Sequence, residues 1–433
     1  MTCFRGAGRF GLLLAGLGLA CAGCGWWPID AQPTKGTGAE NNGLSLGEWV
    51  LSDGPEPPPP ADEVYEAEAN DDFSTAQVVT FYETVRIHGA IAANHPLLDR
   101  DVYDLGPANA GDRVLGDLDI GVGQDIALGI FDSQHRLLAY IAPTGSSSSQ
   151  QIDFVVRETT DRLYVVVSTH SASDEDRYYT TRVSLQRGLG EIDQRPQVLV
   201  LNFLGAKQVR VGNRAPVDVP PFNAAAINPN FAGQTQTLIN LILEYVRADF
   251  AGLGVAIYLA GDPAIPPGAH STIYYGTYDN RLLGLADNVD PYNSVAAQSA
   301  ILYTDTFAVF NVLSPTLQQM AQALANTTSH EAGHLLGLRH TADPVDLMDT
   351  TATARQMMLD QHFILADLNP TILPLGRQDA PAMLSWTVGG ELIAAPDKSN
   401  ARKRFIQVTN DPNDFYIPRD WLMDCDCTQC GHP

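Results

Sequence analysis

The sequence predicts a multi-domain protein in which an all-β sandwich precedes an α+β domain carrying a metal-binding helix. Three observations lead there. Between residues 64 and 190, short alternating or apolar runs recur between Gly, Asp and Ser turns, as in a β-sandwich. From residue 195 the pattern becomes strand, helix, strand, opening with Val198-Leu199-Val200-Leu201-Asn202-Phe203, a continuous apolar run typical of a strand covered on both faces. A helical stretch then carries His330-Glu331-Ala332-Gly333-His334, with His340 six residues further on.

At 433 residues and 45% hydrophobic, the chain can bury a sizeable core and hold two or three domains. Its 26 Lys and Arg against 50 Asp and Glu give a net charge of −24. That balance argues against nucleic acid as a partner, because a phosphate backbone must be neutralised by Lys and Arg. It suits a soluble protein working outside a cell, with bound calcium as an option, and at least as well a merely well-solvated surface. Residues 1–24 read as a targeting segment, with Arg5 and Arg9 before a short apolar run, Phe10 to Ala20, and small residues around Cys21 and Cys24. The run is too short to span a membrane as an ordinary helix. It resembles a bacterial lipoprotein signal, in which a lipidated Cys becomes the first mature residue; Cys24, preceded by Ala22-Gly23, is favoured over Cys21. The resemblance implies an exported chain, at the bacterial outer membrane or cell surface or outside the cell, held to the membrane by a lipid anchor. Residues 25–63 form a tether rich in Gly, Pro, Asn and Ser, ending in the semi-rigid run Pro57-Pro58-Pro59-Pro60. Gly43-Leu44-Ser45-Leu46-Gly47 within it matches G-x-S-x-G, but without the strand and helix that motif requires it is a chance match.

In the sandwich region the strand-like runs are 76–80, 84–87, 113–118, 126–131, 137–141, 152–156, 163–167 and 181–185. The opening Glu66-Ala67-Glu68-Ala69-Asn70-Asp71-Asp72, the segment Asp99-Arg100-Asp101-Val102-Tyr103-Asp104-Leu105 and Phe131-Asp132-Ser133 resemble the bacterial pre-peptidase C-terminal domain family. Those small sandwiches accompany secreted peptidases, usually following them, whereas here the sandwich comes first. The acidic residues could bind Ca2+, although solvated turns are the favoured reading.

In the domain of residues 195–390, Gln234 to Phe250 has helical spacing with one apolar face, and 255–259, 271–275 and 300–304 read as strands. Asp287, Asn288, Asp290 and Asn293 suggest calcium or, preferably, a polar surface loop. Ser314-Pro315 reads as the N-cap and first turn of the helix that carries the histidines. Leu317, Met320, Ala321 and Leu324 form its core face. Thr351 to Leu368 is expected to form a further helix.

The motif H-E-x-x-H-x-x-G-x-x-H carries the chemistry. Positions four apart share a helix face, so His330 and His334 can aim at one ion, while Glu331 lies about 100° round the helix, where a base for an activated water would stand. Gly337 permits a left-handed turn that brings His340 back as a third nitrogen. Three neutral nitrogens leave one position of a tetrahedral zinc open to water, the mark of a catalytic site. Chance produces the motif in a chain of this composition with a probability of about 10⁻⁵. The stretch from His330 to Asp349, with Met348 eight residues beyond His340, resembles the metzincin zinc peptidases, most of all the matrixin-type catalytic domains. The resemblance implies an α+β (α/β) metzincin-type zincin domain and a zinc metalloendopeptidase. It implies one Zn2+ on His330, His334 and His340, Glu331 as the catalytic base, and Met348 as the Met-turn residue. By the same resemblance, Ser299 to Tyr303 would be the edge strand that pairs with an extended protein or peptide substrate. No Tyr follows Met348, so a fifth, tyrosine ligand is not expected. No Cys lies between Cys24 and Cys425, so latency through a preceding cysteine is not expected either.

In the tail, residues 391–433, Cys425, Cys427, Cys430 and His432 suffice for a closed second zinc site, though a disulfide is favoured in an oxidising compartment. The other histidines, at 88, 95, 135, 170, 270 and 362, lack ligand spacing and read as structural or surface residues. Two further functional classes stay open. A tethered binding or adhesion lipoprotein would work through its sandwich and keep a non-catalytic metal site. A structural zinc protein would need a fourth ligand, for which the sequence offers no candidate near the motif.

Overall fold

In the computed structural model, residues 61–93, 99–121, 125–141, 150–169, 171, 173–393, 414 and the backbone of 424–425 are described. The targeting segment and nearly all of the tether, Gly43 to Gly47 included, lie outside them.

Ten strands build the first half. They are β1 (Asp62–Tyr65), β2 (Gln77–Val78), β3 (Thr84–Ile91), β4 (Arg100–Asp104), β5 (Arg113–Ile120), β6 (Ile126–Phe131), β7 (Leu137–Ile141), β8 (Gln150–Val155), β9 (Tyr164–Thr169) and β10 (Arg177–Gln186). They form two five-stranded sheets, ordered β1-β3-β10-β5-β8 and β2-β4-β9-β6-β7. The inward faces of both sheets share one core, with Ile87, Val114 and Val183 from the first against Leu128, Ile130 and Val165 from the second. That is the expected β-sandwich. β6 and β9 are buried along their whole lengths, because their outer face carries a second apolar cluster with Leu368, Ile372 and Leu373 from the following half. Trp386 from that half packs with the core as well, so residues distant in sequence cover the sandwich at two places.

The second half holds β11 (Gln197–Asn202), the hairpin β12 (Ala206–Val209) and β13 (Val217–Val219), α1 (Ala224–Ile227), α2 (Thr235–Asp249), β14 (Val255–Leu259), β15 (Ser271–Tyr275), β16 (Gly284–Ala286) and β17 (Ser299–Leu302). Beyond them come α3 (Leu317–Leu335), α4 (Ala354–Met357), β18 (Leu365–Asp367), β19 (Arg377–Asp379), α5 (Ala380–Val388) and β20 (Asp424–Cys425). The main sheet runs β14-β11-β15-β17-β16-β20. Its first four strands are parallel, and β16 is antiparallel to β17. Alternation along β17 shows the layering: Ala300 and Leu302 enter the core under α2 and α3, while Ile301 faces the hairpin side with Val209 and Val219.

Four expectations change here. Ser299 to Tyr303 is no edge strand, since β17 is paired on both sides; β16 lies outside it, and the backbone of β20 pairs in parallel with β16. Three residues, Gly284-Leu285-Ala286, carry too little pattern to read as a strand. α3 starts not at Ser314-Pro315 but at Thr316, whose hydroxyl accepts from Gln319 N while the Gln319 side chain caps Thr316 N, a capping box. Ser314 instead ends the preceding 3-10 turn in the left-handed region at φ 51°. Thr351 to Leu368 is not one helix. Only α4 forms there, because the backbone of His362 is bonded to Val345 and Leu347 and the chain then enters β18. The helix that does form later, α5, is capped by Asp379, has Pro in its first turn and ends at Gly389. Finally, Asp290 and Asn293 are 2% exposed rather than on a surface loop. Asp290 accepts from Ser294, Val295 and Gln298, and the Asn293 amide nitrogen donates to Arg195 and Gln197, so these groups hold the loop.

Replacing a capping Thr by Ala typically costs about 1 kcal/mol. Thr316→Ala should lower stability by that amount in urea unfolding, whereas Ser314→Gly, which relieves the left-handed strain, should leave it unchanged or raised.

Candidate metal centre

α3 delivers the motif. Its second half is buried on every side, and its Asn and Thr side chains bond within the fold. Thr327 and Thr328 donate back to Ala323 O and Leu324 O, and Asn326 donates to Met357 O and Leu359 O. The helix ends in a Schellman turn: Gly337 N bonds His334 O at 2.9 Å and Leu338 N bonds Gly333 O at 2.9 Å, with Gly337 at φ 95°. A side chain at Gly337 would also meet Pro291 Cα at 2.9 Å, so glycine is required twice over.

That turn brings His340 to the two helical histidines. The Nε2 of His334 lies 3.1 Å from the Nε2 of His330 and 3.1 Å from that of His340. All three rings are buried, and one ring nitrogen from each lies within 4.8 Å of the other two. Among the described residues no other His, Cys, Asp or Glu joins the set. The tautomers follow from the acceptors. His330 Nδ1 donates to Leu347 O at 2.7 Å and His334 Nδ1 to Leu338 O at 2.9 Å, since a carbonyl can only accept. Their Nε2 atoms therefore carry lone pairs, and those lone pairs converge. Such a donor set fits a divalent cation of the zinc type, and the second-nitrogen bonds to carbonyls are the support such ligands use.

Glu331 is fully buried beside them. A Cβ at Gly284 of β16 would lie 2.2 Å from its Oε1, so the bare backbone of β16 makes room for this carboxylate. Met348 is fully buried, and its Sδ would stand 2.6 Å from a Cβ at Gly333, which places it against the motif helix. Its turn is pinned by Thr341 N to Met348 O at 2.9 Å and by Thr341 Oγ1 to Asp346 Oδ2 at 2.7 Å. Burial pushes both Asp346 and Asp349 up to about 7. Gly284, Asp346 and the Leu347 carbonyl escaped sequence reading; the only local signal was the Asp flanking each side of Leu347-Met348.

A second cluster lies in the sandwich. Ligand oxygens of Glu66, Glu68, Asp99 and Asp101 fall within 4.8 Å of one another. The expectation of solvated turns fails here, because Asp99 is 1% exposed and Asp101 0%. Asp101 Oδ2 accepts from Tyr179 at 2.6 Å, but its Oδ1 has no partner, and neither has the side chain of fully buried Asn70. Burial, then the charge of Glu66, pushes Asp101 up to about 9 against the Tyr179 hydrogen bond. Cys21, Cys24, Cys427, Cys430 and His432 lie outside the described residues, as does the side chain of Cys425, whose backbone pairs with Ala286. No described helix is long and apolar enough to cross a membrane.

No sequence family matches the chain, and no curated protein matches it. Among solved structures it is similar to PliG, a periplasmic inhibitor of g-type lysozyme from Aeromonas hydrophila, at 16% identity and a TM-score of 0.18, over 29% of this chain and 100% of that one. It is also similar to the pre-peptidase C-terminal domain of a Bacillus anthracis collagenase, at 20% identity and a TM-score of 0.18, over 26% of this chain and 94% of that one. A third likeness is to archaemetzincin from Methanopyrus kandleri, at 12% identity and a TM-score of 0.22, over 38% of this chain and 86% of that one. At these identities and scores the likenesses carry no inference about chemistry.

Burial pulls His330 from 6.5 down to about 4, opposed by its bond to Leu347. In the metal-free protein the unfolded chain takes up this proton below about 6.5 while the folded chain refuses it until about 4, so stability falls as pH falls through that window. Metal-free wild type should therefore lose stability relative to metal-free His330→Asn between those pH values in urea titrations. A difference that stays constant would show that burial does not hold His330 neutral.

Proposed function

We propose that the chain is an exported zinc-dependent endopeptidase of metzincin type, acting on protein or peptide substrates. The observation that carries this reading is the convergence of three imidazole Nε2 atoms, two of them left with lone pairs by their Nδ1–H bonds, beside a buried glutamate, with no fourth protein ligand among the described residues. A zinc ion bound there would lower the pKa of water and polarise a scissile carbonyl. The Nδ1–H bonds of His330 and His334 keep their Nε2 atoms free to ligate. Glu331 would accept the proton of the attacking water on its carboxylate and pass it to the leaving amine nitrogen. Gly284 leaves Glu331 the space it needs. Export, and attachment through Cys24 or Cys21, remain part of the proposal on the strength of the first 24 residues. The competing adhesion-lipoprotein reading leaves the buried Glu331 and its glycine berth without a role.

The deciding experiment compares wild type, Glu331→Gln and Gly284→Ala for bound zinc and for cleavage of an unstructured protein. Glu331→Gln should keep about one zinc and lose cleavage by about 10²-fold or more. Gly284→Ala should also keep zinc and lose activity through the displaced carboxylate. Zinc-loaded wild type with no more cleavage than Glu331→Gln would return the weight to a binding function.

The sandwich cluster supports a calcium ion as a second component. Four carboxylates converge there, one of them Asp101 with an unpaired oxygen, and the side-chain oxygen of buried Asn70 lacks a hydrogen bond as well. Without a cation, Asp101 holds its proton up to about 9, and the unfolded chain releases it above 3.8, so this group costs stability as pH rises between those values. Calcium should therefore raise the Tm more at pH 8 than at pH 5, and Asp101→Asn should flatten that difference. Equal Tm values in calcium and in chelator at pH 8 would remove calcium from the reading.

A further inference from the structure

We infer that strand β7 of the sandwich belongs to the scaffold of the metal-binding turn, and that Tyr140 is a positioning residue for His340. The inference rests on the reading of the three histidines as zinc ligands. Two of those ligands ride on α3, whose backbone fixes them. The third, His340, sits on a turn after the helix, so its position depends on what holds that turn.

The supports lead to the sandwich. Arg339, directly before His340, is 3% exposed, and its guanidinium lies 4.3 Å over the ring of Tyr140 in β7. The hydroxyl of the same tyrosine donates to Ile372 O at 3.0 Å. Ile372 N bonds Asn369 O at 2.8 Å, and Asn369 N bonds His340 O at 3.0 Å. Tyr140 therefore touches both the residue before His340 and the turn that holds the His340 carbonyl. The backbone of Arg339 is gripped on its other edge by Gln378, whose side chain accepts from Arg339 N and donates to Arg339 O, each at 2.7 Å. The neighbour of Gln378 in β19, Arg377, is bonded through its N to His135 O at 2.9 Å, in the turn that leads into β7. The far side of the metal turn, at Gly337, rests on Asp290 and Pro291, and Tyr292 next to them donates to Leu138 O of β7 at 2.9 Å.

Simple domain packing would need none of this to converge on one ligand. A ligand carried by a loop is held in productive geometry only by neighbours whose own positions are fixed. β7, paired to β6 along its length, is such a fixed element.

The test measures zinc affinity by chelator competition, and the visible spectrum after cobalt(II) substitution, in the full chain. Tyr140→Ala should weaken zinc about tenfold and shift the cobalt bands. Tyr140→Phe keeps the ring beneath the guanidinium and should stay within about threefold of wild type. Tyr178→Ala, at a side chain 68% exposed on the same sandwich, is the control expected to bind as wild type does. A Tyr140→Ala protein that is folded by near-UV circular dichroism and keeps wild-type zinc affinity and cobalt spectrum would overturn the proposal. If Tyr140→Ala does not fold, Arg339→Met decides in the same assay, a tenfold loss supporting the proposal and an unchanged affinity overturning it. Wild type that binds no zinc would instead overturn the metal reading, and this inference with it.

Discussion

Two imidazole nitrogens, of His330 and His340, each sit 3.1 Å from the Nε2 of His334 among buried side chains, and at least those of His330 and His334 carry lone pairs. In a low-dielectric interior such converging lone pairs repel, and a cation is the partner that turns the repulsion into binding. Much of the second half is arranged so that this congestion persists. The capping box starts α3 at the right residue, Gly337 turns the chain back, and the carbonyls of Leu347 and Leu338 take the Nδ1 protons that would otherwise relieve the crowding. Gly333 and Gly284 serve the same end by absence, leaving space for the Met348 sulfur and for the Glu331 carboxylate.

The two halves of the described chain are not beads on a string. Arg136, at the entry to β7, bonds Asp132 and Glu158 of its own sandwich and also reaches Asp379 at the cap of α5. Its guanidinium lies 5.3 Å from the ring of Trp386, whose indole nitrogen donates to Glu158. Tyr140 and Leu138, further along β7, reach the metal turn directly and through Tyr292. One short strand of the sandwich thus bears on both the last helix and the metal site.

The sequence made some of this plain and hid the rest for identifiable reasons. The His330 to His340 spacing is set by covalent geometry and helical pitch, so the convergence could be read directly. β6 and β7 carry strong apolar runs, and their bounds were read correctly at Ile126–Phe131 and Leu137–Ile141. β16 was missed because three residues have no period, and with it the true neighbour of β17. Ser314-Pro315 outweighed Thr316 and Gln319 in the reading, although the second pair holds the real cap. Asp99 and Asp101 looked solvated because their burial depends on strand neighbours far away in sequence. No local pattern announces Tyr140 beneath Arg339, since that contact exists only once two separately patterned regions have met.

Trp386 has a consequence for the order in which the molecule can be completed. The sandwich's last strand closes at Gln186, yet the indole that packs onto its core belongs to α5, about 200 residues later. A chain growing from its N-terminus therefore makes every strand of the sandwich before it makes the indole that covers part of its core. Through that interval the seat of Trp386 has to face water or a temporary occupant. The sandwich reaches its finished packing only when the second half has been made, tying the maturation of the older half to the arrival of the newer one.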